Sequence, residues 1–259
     1  MSLKSLSMKI NQFYSDRYRE MAGYHKPEPY PSLKEMVETL AALSDKVYGL
    51  YCFRREPMRA KISDEQRDEL LERCFTEGAR YADELLAQFD HAKPSEIAAR
   101  LGIAIERPRV PVGGGRVLFA EYEEPSEIRV YQSAVANAQS AIEENNLESF
   151  FEGIDVEEVL IAHELYHWVE HRDKDAIFTL NYRVKLWRIG RFTNTAKLVS
   201  LSEITAMSFA KRLTGLPFSP NLFDVFLSYT YNQDAGGALY NEILGYAKAQ
   251  AEDAPPALG

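Results

Sequence analysis

His163, Glu164 and His167 stand in the order H-E-x-x-H within the stretch Leu160 to Val169, LIAHELYHWV. On a helix, a separation of four residues brings both imidazoles to one face, a turn apart, where they can grip a single metal ion. Glu164 then lies beside the metal without being a ligand, placed to take a proton from water there. The neighbours Leu160, Ile161, Leu165, Tyr166, Trp168 and Val169 are all uncharged, so the three polar residues ride on a largely buried helix. A polar group buried without a partner costs roughly 2–7 kcal/mol. One metal ion satisfies both rings, and we favour it over the competing reading, a pair of hydrogen-bonded core histidines.

A catalytic zinc site takes three protein ligands and keeps a position open for water. Asp173 falls at the last position of the longer pattern H-E-x-x-H-x-x-G-x-x-[HD], but Glu170 stands where that pattern needs a glycine for a sharp turn. His171 continues the face of His167, yet three ligands in line on one straight helix cannot surround a metal. A helix-end histidine favoured by the dipole is the simpler reading of it. Glu203, in SLSEITAMSFAKRLTG, is the stronger candidate. Apolar and small residues at helical spacing surround it, Gly215 and Pro217 end the helix, and Ala206 and Ala210 on nearly its own face permit close approach to the histidine helix. Against this, Ser200 and Glu203 could form a capping box, which needs no metal.

The elements that must position these groups follow from periodicity. A Pro-rich lead-in up to Tyr30 gives way, after a cap at Ser32, to one amphipathic helix over Leu33 to Phe53. Ser63 or Asp64 opens a second long helix whose apolar stripe ends at Phe89, and SEIAARLGI from Ser95 makes a short third. That third pattern is like the first half of a helix-turn-helix, but prolines and glycines follow where a basic recognition helix would be needed. Ile103 to Val110, Arg116 to Tyr122 and Ile128 to Tyr131 read as three strands of a small antiparallel meander, turned at Gly113, Gly114 and Gly115 and again at Glu124 to Ser126. Ala134 to Phe151 is helical and stops at Gly153. Asp155 and Glu158 form a capping box for the central helix. Two further helices, Asn221 to Tyr231 and Leu239 to Ala249, are separated by Gly236 and Gly237, and a disordered tail closes the chain.

The expected architecture is α+β: mostly helical, with a small antiparallel three-stranded sheet beside the H-E-x-x-H helix, zincin-like in outline. Residues 1–90 form a helical region, 91–215 the core with the metal, and 216–259 the last helices and tail. With 259 residues, 46% apolar and 27% charged, the chain can bury a sizeable core. A net charge of -9 argues against a dedicated nucleic-acid binder. Arg172 to Lys197 departs from that balance, with seven basic and two acidic residues and with Tyr182, Trp187 and Phe192 interleaved. We read it as a solvated helix face or a lid beside the site in preference to a nucleic-acid surface. Cys52 and Cys74 are too few for a disulfide framework or a thiolate zinc site. No signal peptide or membrane span is evident, so a cytoplasmic protein is expected.

These segments together resemble the ImmA/IrrE metallopeptidases of the gluzincin group. The likeness lies in HELYH, in E-I-T-A-x-x-F-A around Glu203, and in the preceding L-G-I-x-I, G-R-x-L-F-A and I-R-V-Y, across roughly residues 91–215. The resemblance implies zinc held by His163, His167 and Glu203, with Glu164 as general base and acid, and cleavage of a protein substrate, often a repressor. The chain departs from the family's usual pattern at Tyr166, where a glycine is common, and in the long stretch before Glu203. A donor to the developing oxyanion is also expected, with Tyr182, Tyr166 and His171 as candidates. The alternative function is a metal-containing regulator that binds a partner or DNA without proteolysis.

Overall fold

The computed structural model describes residues 28–109 and 118–252. The lead-in before Glu28, the triple glycine, the Arg116 end of the second expected strand and the tail beyond Glu252 lie outside the described residues.

Helix α1 (Leu33–Ala41) begins in a full capping box between Ser32 and Glu35, and α2 (Asp45–Arg54) follows it. The single helix expected over Leu33 to Phe53 is therefore two. Ser44 starts the chain afresh by accepting from the Val47 N–H, and the buried Tyr48 hydroxyl donates to the Leu40 carbonyl at the end of α1. Apolar spacing runs through the break because both helices bury residues in the same hydrophobic cluster, so periodicity alone hides it. Helix α3 (Asp64–Gln88), capped by Ser63 and Gln66, is the longest among the described residues at 25 residues. It is followed by α4 (Pro94–Arg100).

Strands β1 (Ala104–Glu106), β2 (Ala120–Glu123) and β3 (Glu127–Val130) form one sheet in the order β1-β3-β2. It is mixed: β3 pairs antiparallel with β2 but parallel with β1, which corrects the antiparallel meander. Turn residues mark where strands end, not which side of β1 the returning hairpin occupies; here β3 inserts between its neighbours. That central place buries Ile128 and Val130 completely against the helical layer. Strand β2 is left as an edge beside the histidine helix.

Helix α5 (Gln132–Glu144) stops about two turns before the expected Phe151, with Asn146 in the left-handed region at φ 54°. Helix α6 (Val156–Arg172) carries the H-E-x-x-H residues, and a short α7 (Phe178–Asn181) leads into strands β4 (Val184–Ile189) and β5 (Phe192–Ala196). These pair as a two-stranded hairpin, so the basic stretch is not a helix face. Helices α8 (Ser200–Thr214), α9 (Leu222–Tyr231) and α10 (Gln233–Glu252) complete the chain. Gly236 and Gly237 lie inside α10 and do not break it: a Cβ on Gly236 would stand 2.5 Å from Tyr229 Cα, and one on Gly237 would stand 2.2 Å from the Tyr30 ring. Their smallness serves close packing on α9 and Tyr30.

Two hydrophobic clusters form the core, and α6 and α8 contribute to both. Val156, Val159, Leu201 and Ile204 enter one; Ile161, Leu165, Val169, Ala206, Phe209 and Ala210 enter the other. Helix α3 closes on α8 at Gly78, where a Cβ would meet the Thr205 carbonyl oxygen at 2.6 Å and the Phe209 nitrogen at 2.9 Å. The two backbones touch there, and only glycine permits it. Among the described residues no helix is long and apolar enough to cross a membrane.

Candidate metal centre

Helix α6 starts at Asp155, whose carboxylate accepts from the backbone N–H of Glu157 and Glu158. The expected capping box is only half formed. Glu158 turns outward and accepts from the Ser95 N–H at 2.9 Å and the Ser95 hydroxyl at 2.5 Å, so it caps α4 instead of its own helix. The start of α8 is likewise held from outside. Glu56, buried between α2 and the chain before α8, accepts from the Val199 N–H (2.8 Å), the Ser200 N–H (2.9 Å) and the Ser200 hydroxyl (3.0 Å). Ser200 is thus engaged by Glu56, and no side chain of α8 caps its own N-terminus. Glu203, in the first turn, is left to face α6.

Across that interface three side chains converge. His163 Nε2 lies 3.3 Å from His167 Nε2 and 3.5 Å from Glu203 Oε2, and His167 Nε2 lies 3.8 Å from Glu203 Oε1. Two ligands of a tetrahedral metal with bonds of about 2.0–2.1 Å stand about 3.3 Å apart. The donors therefore fit one small ion with little rearrangement, and imidazole with carboxylate is a donor set suited to zinc. His163, His167 and Glu203 could hold a metal ion. Their side chains are 17%, 20% and 18% exposed, so the cluster is recessed but open to solvent.

A second ring of groups fixes this one. The His167 Nδ1 stands 3.0 Å from Glu170 Oε2, which holds the proton on Nδ1 and points Nε2 toward the cluster. Glu170 is buried yet satisfied, because it also accepts from the Thr179 hydroxyl at 2.5 Å and the Ser202 hydroxyl at 2.6 Å. It thereby ties α6, α7 and α8 together at the site. Burial opposes charge on His167, but the hydrogen bond to Glu170 and the carboxylates of Glu203, Glu170 and Glu164 outweigh it and raise its pKa to about 10. The pKa of Glu203 is lowered despite burial by its hydrogen bond to His163 and the charges of both histidines. Glu164 differs. Burial raises its pKa, only partly offset by the two histidines and by a hydrogen bond from the Tyr122 backbone on strand β2. A carboxyl shifted upward beside a cluster of metal-type donors holds a proton more readily than an exposed one, which suits a group that must take and return it.

The other candidates occupy different surroundings. Asp173 caps the end of α6 and pairs with Arg172. His171 points to the sheet, its Nδ1 3.5 Å from Glu124 Oε2 and its ring against Tyr122. Tyr166 is fully buried, with its ring against Tyr81 and Phe209. Tyr182 is half-buried at the end of α7 and packs on the larger hydrophobic cluster.

Three carboxylates escaped the sequence reading. Glu170 had a signal, since it sits three residues after His167 on the same helix face. Glu56 had none in its basic surroundings. Asp224 on α9 faces the same region; burial raises its pKa to about 6, with His163 and Arg55 acting against the rise and Glu203 adding to it. No family model, curated protein or solved structure matches the chain.

Proposed function

We propose that this protein is a zinc-dependent peptidase, related to the ImmA/IrrE-like gluzincins and zincin-like in fold, acting on a protein substrate in the cytoplasm. The observation that carries the reading is the convergence of His163, His167 and Glu203 at tetrahedral donor spacing, with Glu164 alongside. His163, His167 and Glu203 would hold the ion. When bound, zinc supplies Lewis acidity, which polarises a carbonyl and lowers the pKa of a water.

The chain's own residues provide the rest. Glu164, with its pKa raised by burial, accepts a proton from the attacking water and passes it to the departing amine. Glu170 keeps the His167 ring oriented with the proton on Nδ1. Strand β2, an edge packed against α6, offers backbone groups to an extended peptide, which would lay a scissile bond along the helix beside Glu164. The two cysteines are unbridged, as suits a reducing compartment.

The test has two parts. Metal analysis of the purified protein should find one zinc per chain in wild type and almost none in Glu203→Ala; full occupancy in the variant removes Glu203 from the site. Digestion of a peptide library, followed by mass spectrometry, should show cleavage by wild type that falls about 10²–10⁴-fold in Glu164→Gln while zinc is retained. Zinc with no cleavage by wild type would favour the regulator that binds without proteolysis.

A further inference from the structure

The hairpin of β4 and β5 is largely exposed, and its two faces differ. Trp187 pairs with Asn194 and Arg188 with Thr193, so these consecutive residues point to opposite sides. A register shift between Lys185 and Trp187 puts Lys185, opposite Thr195, on the same side as Arg188. The other side begins at the base with Val184 opposite Ala196, where it packs into the core, and continues outward to Trp187 and Phe192. There the cover ends: Trp187 is 48% and Phe192 is 63% exposed, the two large apolar side chains left open among the described residues.

The charge is as one-sided as the burial. No acidic residue occurs between Tyr182 and Val199. The turn Arg59–Lys61, distant in sequence, runs beside β4 and adds two exposed cations. Among the described residues, none of Arg59, Lys61, Lys185, Arg188 or Arg191 forms an ion pair with a carboxylate. In a chain of net charge -9, carboxylates are plentiful, yet these five cations meet none.

We propose that this hairpin, with the Arg59–Lys61 turn, binds single-stranded nucleic acid. Unpaired cations supply the attraction to phosphates, and Trp187 and Phe192 offer rings on which unpaired bases can stack. Arg191, 5.3 Å from the centre of the Phe192 ring, places a cation at the same stacking surface. The two-faced geometry selects among polyanions. A membrane or a flat protein surface meets one side of a ribbon at a time and would use either the aromatics or the Lys185 and Arg188 pair. A flexible strand can pass round the ribbon and use both. An acidic peptide is flexible too, but its carboxylates provide no planar faces for the exposed rings. A duplex keeps its bases stacked on one another.

The test measures anisotropy of fluorescein-labelled oligothymidylate, and of an RNA of matched length, with the full chain. Binding should be seen at 50 mM salt and should weaken about 10²-fold by 200 mM, as expected for about five phosphate contacts on a single strand. Lys185→Glu/Arg188→Glu should weaken it by a similar factor. Trp187→Ala/Phe192→Ala should weaken it about tenfold or more per ring, with loss of the tryptophan quenching that accompanies binding. These side chains are exposed, and an unchanged melting temperature will show that the variants are folded. The proposal is overturned by absence of binding at 50 mM salt, by binding that both double variants leave intact, or by equal or tighter binding of duplex DNA. Equal or tighter binding of polyglutamate or phosphatidylserine vesicles overturns it as well. Glu164→Gln should bind as wild type does, which separates this outcome from that of the peptidase reading.

Discussion

The candidate metal centre and the hairpin are neighbours in the chain and opposites in design. In the centre the polar groups around the histidines are tied to one another: His167 to Glu170, Glu170 to Thr179 and Ser202, and Glu203 to His163. In the hairpin, Lys185, Arg188 and Arg191 reach solvent and Trp187 and Phe192 lie open. The contrast teaches that a site for a small ion is built by over-determination, because buried polar atoms must be satisfied from every side. A surface for a long, flexible ligand can leave its groups unspent, since water solvates them until the ligand arrives.

The sharpest way to break the contrast is to remove a group from the over-determined side. Glu170→Ala should leave His167 without its orienting partner and weaken zinc binding about 10–100-fold, measured by competition with a chelating dye. Charge reversal at Lys185 and Arg188 should leave that affinity unchanged. A smaller loss is expected from Glu56→Ala, which strips the acceptor from three donors at the start of α8. Urea unfolding should report a destabilisation of about 1–3 kcal/mol, where hairpin substitutions should stay within about 0.5 kcal/mol.

The effect with a pH signature belongs to Asp224. Its folded pKa, about 6, is raised above its ordinary value by burial, so the folded metal-free protein holds this proton more tightly than the unfolded chain does. The cost of ionising it is absent below the unfolded pKa and is fully present above about pH 6. Asp224→Asn should therefore raise the melting temperature of the metal-free protein at pH 8 and leave it nearly unchanged at pH 3. A gain of equal size at both values would show that Asp224 ionises in the fold as easily as in the unfolded chain.

What could be read from the residues divides along the same line. The histidine face was legible because a spacing of four is a local property of one helix. Glu203 was legible because helix α8 announces itself with small residues and a glycine stop. The supports were not: Glu56 and Ser95 act across contacts of 144 and 63 residues in sequence, which no periodicity records. The helix break at Ser44 and the mixed order of the sheet were hidden for a related reason, since both depend on which neighbours an element meets. The hairpin did leave a trace. Val184, Thr193 and Thr195 are β-branched, and Gly190 supplies the positive φ at the turn, but a run of charge fits a solvated helix face or a lid equally well.

Gly78 shows how far such support extends. Any side chain there would wedge α3 away from α8, and α8 carries Glu203 about half a turn before Thr205. The absent methyl group thus acts as a gauge block of zero thickness: it sets how near the carboxylate comes to two histidines on another helix. A position with no chemistry of its own therefore controls whether three side chains stand close enough to act as one site.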